Sequence, residues 1–145
     1  MWPFGFPEGF LLLYLEFRIK IFDKKMEVGN LIGDIINIPT QFQELGNVTF
    51  PHLLRNYGYF ALFSHITEDK ILEELNRHPE WVQQWLNYSA DQRCSPAWYF
   101  IEGENGKYIV DRYPPIKNSP AREFENVNEA CAVFIKIYIE KIRTM

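Results

Sequence analysis

The side chains of this 145-residue chain best suited to chemistry are two cysteines, three histidines and a group of carboxylates. Cys94 follows Arg93, and a neighbouring cation favours the thiolate that makes a cysteine nucleophilic. No histidine is fixed near it by spacing, and such a nucleophile needs a base within hydrogen-bond reach. His52, His65 and His78 stand thirteen residues apart, which matches no metal-ligand spacing such as HxxxH. His78 precedes Pro79 and reads as a helix-start residue, while His65 lies in an apolar stretch and reads as a core histidine. Glu68, Asp69, Glu73 and Glu74 fall on one helix and read as its solvated side. Neither a GxSxG elbow nor a P-loop occurs. The cysteines show no CxxC spacing and are too few for a disulfide framework. Cys131 falls on an apolar helical stripe, where a free thiol packs as a small hydrophobe. The expectation is a protein from a reducing, cytoplasmic compartment with no cofactor, no metal site and no catalytic residue.

The elements that would position any site are legible from pattern. The net charge of −4 speaks against a nucleic-acid partner, which would call for a basic face. Aromatics make up 17% of the chain, enough ring area to fill a single core and to leave some Tyr and Trp for an interface. Asn30–Ile38 reads as a short helix stopped by Pro39. Pro51 suits a helix first turn, and Gly58 breaks the apolar run that ends at Ile66. Thr67 reads as an N-cap, with Glu68 and Asp69 placed to suit the helix dipole. Trp81, Val82, Trp85 and Leu86 share one side of the next helix and read as core. Asn105-Gly106 between aromatic runs signals a hairpin. A two-residue turn there would set Ile101 opposite Val110 and Trp98 opposite Tyr113. One face would then carry Tyr99, Ile101, Tyr108, Val110 and Arg112, whereas a three-residue loop with a bulge would shift the register. Arg122–Phe124 adds a short third strand. Asn126 with Glu129 resembles a capping box and opens a final helix running to about Ile142, with Cys131, Phe134, Ile135, Tyr138 and Ile142 on one face. The fold class expected is α+β: a small antiparallel sheet (hairpin 96–112 plus the third strand) packed with several helices.

Residues 1–25 have a different character. The apolar run Phe10–Leu15 is far shorter than the about 20 residues that span a bilayer, and no secretory signal pattern is present. Leu15, Phe17, Ile19 and Ile21 alternate with Glu16, Arg18 and Lys20, a half-buried strand pattern. Three readings stand: an edge strand, a membrane-surface anchor, or translated upstream sequence with Met26 as the true initiator. The domain division expected is therefore an extension over 1–25 and a single α+β domain over 26–145. Removing the three acidic and four basic residues of the extension from the 19 and 15 of the whole chain changes the net charge from −4 to −5.

Trp98-Tyr99-Phe100, Gly106-Lys107-Tyr108-Ile109-Val110, and Ala130-Cys131-Ala132 with Phe134-Ile135 carry a resemblance to small bacterial immunity proteins of contact-dependent growth inhibition and related toxin systems. It extends over about Ile32–Ile142 and begins only after Met26, which favours the third reading of the extension. The resemblance implies a cytoplasmic protein that binds and neutralises a cognate toxin domain, commonly a nuclease, by covering its active site or substrate groove. It transfers no interface residues. The residues themselves point to the hairpin tip as the partner-binding region: Glu102, Glu104 and Tyr108, with Arg112 and Tyr113. The other reading of those five is as turn and core-edge residues. Two further functions stay open, a non-catalytic adaptor domain and a small enzyme using Cys94 or a histidine. Neither nucleic acid nor membrane is an expected partner, and the sequence leaves the oligomeric state undetermined.

Overall fold

The computed structural model describes residues 8–91 and 97–145. The fold is α+β, with a three-stranded antiparallel sheet and seven α-helices among the described residues.

Helix α1 spans Glu8–Ile36, so the strand expected over Leu15–Ile21 is a helix instead. A strand needs a neighbour to receive its backbone groups, whereas a helix satisfies them internally. Leu, Glu, Arg and Lys also favour helix. At 100° per residue, an alternating pattern simply puts apolar side chains on both sides of a helix. Of the short helix expected over Asn30–Ile38, Asn30–Ile36 is the end of this long one, which passes through Met26, Gly29 and Gly33 without interruption. Pro39 starts the next helix, α2 (Ile38–Leu45), by occupying its first turn, where a missing N–H costs nothing.

Helix α3 (Phe50–Asn56) begins with Thr49, whose side chain accepts from the His52 amide, and Pro51 lies in the first turn. Gly58, at φ 91°, makes the break before α4 (Tyr59–Leu62), a left-handed conformation that glycine adopts without strain. A 3-10 turn over Phe63–His65 leads to α5 (Glu68–Arg77), capped by Thr67 accepting from Lys70 N–H. A second 3-10 turn, Pro79–Trp81, runs into α6 (Val82–Asp91). Strands β1 (Ala97–Glu102), β2 (Tyr108–Tyr113) and β3 (Arg122–Phe124) form the sheet in that order. Helix α7 (Val127–Arg143) follows, with the Asn126 side chain accepting from the Asn128 and Glu129 amides.

The core joins helices to sheet. Val28, Leu31, Ile32, Ile35 and Ile36 bury the last turns of α1 together with Ile71 and Leu75 of α5, Trp85 of α6 and Phe134 of α7. The Trp85 indole donates to the Ile36 carbonyl at 2.8 Å, satisfying a helix-end acceptor that would otherwise be orphaned. Phe50, Trp85, Tyr88, Phe134 and Tyr138 stack edge-on and tilted, with centroids 5.1–6.4 Å apart. On the sheet, Phe100 lies 5.8 Å from Phe134, which places α7 against the Phe100 face. Ser89 of α6 accepts the Phe100 amide at 2.8 Å, occupying an outward-facing donor on the edge of β1 that could otherwise pair with another strand.

Candidate functional site

The hairpin does not close through a two-residue turn. Type I′ needs positive φ at both central residues, and Gly106 alone has it, at 77°, while Asn105 does not. Glu102 pairs with Tyr108, and the Gly103 amide donates to the Lys107 carbonyl at 2.7 Å. Glu104, Asn105 and Gly106 therefore form a three-residue loop, held further by Asn105 Oδ1 accepting from the Lys107 amide at 3.1 Å. The backbone is also closely approached at Gly103. A Cβ on it would sit 2.9 Å from Ile109 Cδ1 and 3.2 Å from the Lys107 carbonyl oxygen.

This loop shifts the register by one residue, so the expected face of Tyr99, Ile101, Tyr108, Val110 and Arg112 does not exist. Cross-strand partners lie on the same side of a sheet. The pairs are Trp98–Arg112, Phe100–Val110 and Glu102–Tyr108 on one face, and Ala97–Tyr113, Tyr99–Asp111 and Ile101–Ile109 on the other. Phe100 and Val110 are buried under α7. On the opposite face Ile101 is 43% and Tyr113 64% exposed, with Tyr99, Ile109 and Asp111 half-buried between them and Glu123 of β3 beside Ile109. Tyr99 donates to Asp111 at 3.3 Å. Burial, then the Asp111 charge and this bond, raise the tyrosine above its ordinary pKa, so at neutral pH it stays a donor.

The five expected partner-binding residues are thus divided. Glu104 is exposed in the loop, and Glu102 is exposed at the rim of the helix-covered face. Tyr108 and Arg112 point to that covered face. Tyr108 tilts on Phe100 at 6.4 Å, and Arg112 Nε is buried without a hydrogen-bond partner among the described residues. Only Tyr113 belongs to the open face. Tyr99, Ile101, Ile109 and Asp111 complete that face, and the spacing of Gly103 from Gly106, which fits a bulged loop, is the sequence signal that points to them.

A second polar group lies between α4 and α7. Lys136 Nζ donates to the Tyr59 hydroxyl at 3.0 Å and to the Phe63 carbonyl at 3.2 Å, and pairs with Glu140 at 3.3 Å. Arg143 closes on Glu140 from the other side, with its guanidinium 3.7 Å over the Phe63 ring. Burial lowers the Lys136 pKa despite Glu140. Burial would raise Glu140, but the hydrogen bonds and charges of Arg143 and Lys136 hold it below its ordinary value. Burial, reinforced by the Glu140 charge, pushes the Tyr59 hydroxyl far upward. These groups tie α7 to α4 and the following turn.

The expected chemical residues are scattered. His52 is exposed, its Nε2 2.9 Å from Asn56 Nδ2. His65 is half-buried, and its carbonyl accepts from Lys70 at 3.0 Å. His78 stacks on Trp81 at 4.0 Å, with Nδ1 3.3 Å from Glu80 and Nε2 3.7 Å from Glu74. Asp69 and Glu73 are exposed, Glu68 and Glu74 half-buried, and Arg77 bridges Glu73 and Glu74. Cys131 is buried, and that burial drives its thiol far above the ordinary range. Cys94 lies outside the described residues. Among the described residues no group of His, Cys, Asp and Glu is placed to hold a metal, and no helix is long and apolar enough to cross a membrane. Comparison with protein families, curated proteins and solved structures found no match to this chain.

Proposed function

We propose that this chain is a cytoplasmic immunity protein that binds a cognate toxin domain, a nuclease, and neutralises it by covering the active site or substrate groove. The resemblance carried by the Trp98–Phe100 and Gly106–Val110 segments supports the reading. In the fold, the supporting observation is the open face of that same hairpin. Tyr99, Ile101, Ile109 and Tyr113 form an apolar and aromatic patch with Asp111 within it and Glu123 at its side. Aromatic anchors surrounded by polar groups are the usual centre of a tight interface. The net charge of −4 speeds encounter with a basic nuclease and adds orientation more than affinity. Glu104 at the loop tip is placed to extend the contact, while Tyr108 and Arg112 support it from the covered side.

The test is co-expression with toxins encoded beside this gene. The wild-type chain should rescue growth, and Ile101→Asp with Tyr113→Ala should lower survival by at least tenfold while leaving the melting temperature nearly unchanged. Absence of rescue from every neighbouring toxin, or full rescue by the double variant, would reject the reading. A stable complex with a non-toxin protein on pull-down would favour the adaptor function instead.

A further inference from the structure

Helix α1 leaves a large apolar surface uncovered: every residue from Gly9 to Glu27 is exposed, and burial begins at Val28. Two stripes run along it. Phe10, Tyr14, Phe17 and Ile21 continue the line that Val28, Ile32 and Ile35 bury in the core. Leu12, Leu15, Ile19, Phe22 and Met26 recur at alternating steps of three and four, and they fall within about 80° of arc roughly opposite that line. Steps of three and four are the a and d positions of a coiled coil.

The charges beside the second stripe are sorted by sign. With Leu12, Ile19 and Met26 at a and Leu15 and Phe22 at d, the e positions hold Glu16 and Asp23 and the g positions hold Arg18 and Lys25. In a parallel pair each g residue meets the e residue five places on in the other chain, so Arg18 meets Asp23 twice by symmetry. In an antiparallel pair like would face like. Within one chain neither Arg18 nor Asp23 has an ion-pair partner among the described residues, and Arg18 instead leans over the Tyr14 ring at 5.9 Å. A groove of about 420 Å³ lies along the g-position side of this stripe, lined by Leu15, Arg18, Ile19, Phe22 and Lys25 and reaching Ile21 of the first line. Leu15, Arg18, Ile19 and Phe22 are the d, g, a and d residues that form the hole for an incoming a-position side chain.

We propose that residues Leu12–Met26 form a parallel two-stranded coiled coil with a second copy of this chain, the Ile19 of each copy seated in the groove of the other. The core-facing side of α1 points away from this seam, so the two folded bodies lie outside the coil. The seam then meets Gly29 and Gly33, where nothing lies within 4 Å of an added Cβ and the two backbones have room to approach. The five side chains are 47–62% exposed, which at roughly 150–200 Å² each gives about 500 Å² per copy. Fully covered, these side chains would bury about 1,000 Å² in the pair, the lower bound for a specific interface. A lipid surface fits less well. A helix lying on a membrane needs one broad apolar face, and here the exposed apolar residues form two stripes on roughly opposite sides of α1.

Analytical ultracentrifugation of the full-length chain should show a monomer–dimer equilibrium. Ile19→Asp should weaken it at least tenfold with the melting transition of the body unchanged. Arg18→Asp alone should also weaken dimerisation, and adding Asp23→Arg should restore it. In a Cys94→Ala background, Leu12→Cys should form a disulfide-linked dimer under oxidation, as two a positions of a parallel pair require. A chain monomeric to 100 µM, a dimer indifferent to Ile19→Asp, or a charge swap that fails to restore would overturn the proposal. So would flotation with phosphatidylglycerol vesicles by a chain that is otherwise monomeric. None of these outcomes bears on toxin binding through the sheet.

Discussion

Replacing Ser89 by Ala tests whether α6 holds the sheet that presents the open face. Ser89 is a buried polar residue of this core, and its hydroxyl accepts the Phe100 amide at 2.8 Å. That amide points to the outer edge of β1, away from β2, and Phe100 itself is fully buried. Removing one oxygen leaves little cavity, so the dominant effect is a buried donor without an acceptor, which costs about 1–3 kcal/mol. Alanine returns about 0.5 kcal/mol through its better helix propensity. The expected net loss is about 0.5–2.5 kcal/mol, and at roughly 4 °C per kcal/mol for a chain of this size the melting temperature should fall by about 2–10 °C. Urea unfolding followed by tryptophan fluorescence measures the loss, and amide hydrogen exchange locates it, with Phe100 losing protection first. Ser64→Ala, at an exposed position, should change neither. A Ser89→Ala protein that melts with the wild type and keeps its Phe100 amide protected would refute the assignment.

Two further outcomes follow from the geometry. Gly106→Ala forces a Cβ into φ 77°, so it should destabilise by about 1 kcal/mol; an unchanged urea midpoint would show that the loop can close another way. Glu140 has a folded pKa below the ordinary carboxylate value of 4.5, so it binds protons less readily folded than unfolded. Its stabilisation is present above that value and is lost as pH falls through the folded pKa. Glu140→Gln should therefore be less stable than wild type at pH 7, with the gap narrowing below about pH 4.5; a gap independent of pH would place the effect elsewhere than in the carboxylate charge.

Local chemistry settles where several helices of this fold begin. Thr49-Phe50-Pro51, Thr67-Glu68-Asp69 and Asn126 with Glu129 begin helices because each supplies an acceptor, or removes a donor, where helix amides lack partners. Trp85, Phe134 and Ile135 are core because their periodicity leaves them no other side. Long-range partnership decided the rest. The Leu15–Ile21 pattern fits a strand as well as a helix, and continuity with the buried turns from Val28 to Ile36 made it helical. The hairpin register hung on one backbone angle: Asn105 stays at negative φ and Gly106 alone turns left-handed, which exchanges the partners of every residue from Ala97 to Glu102. The open face of Tyr99, Ile101, Ile109, Asp111 and Tyr113 exists because α7 covers the other side of the sheet, and no local pattern says which side a distant helix will choose.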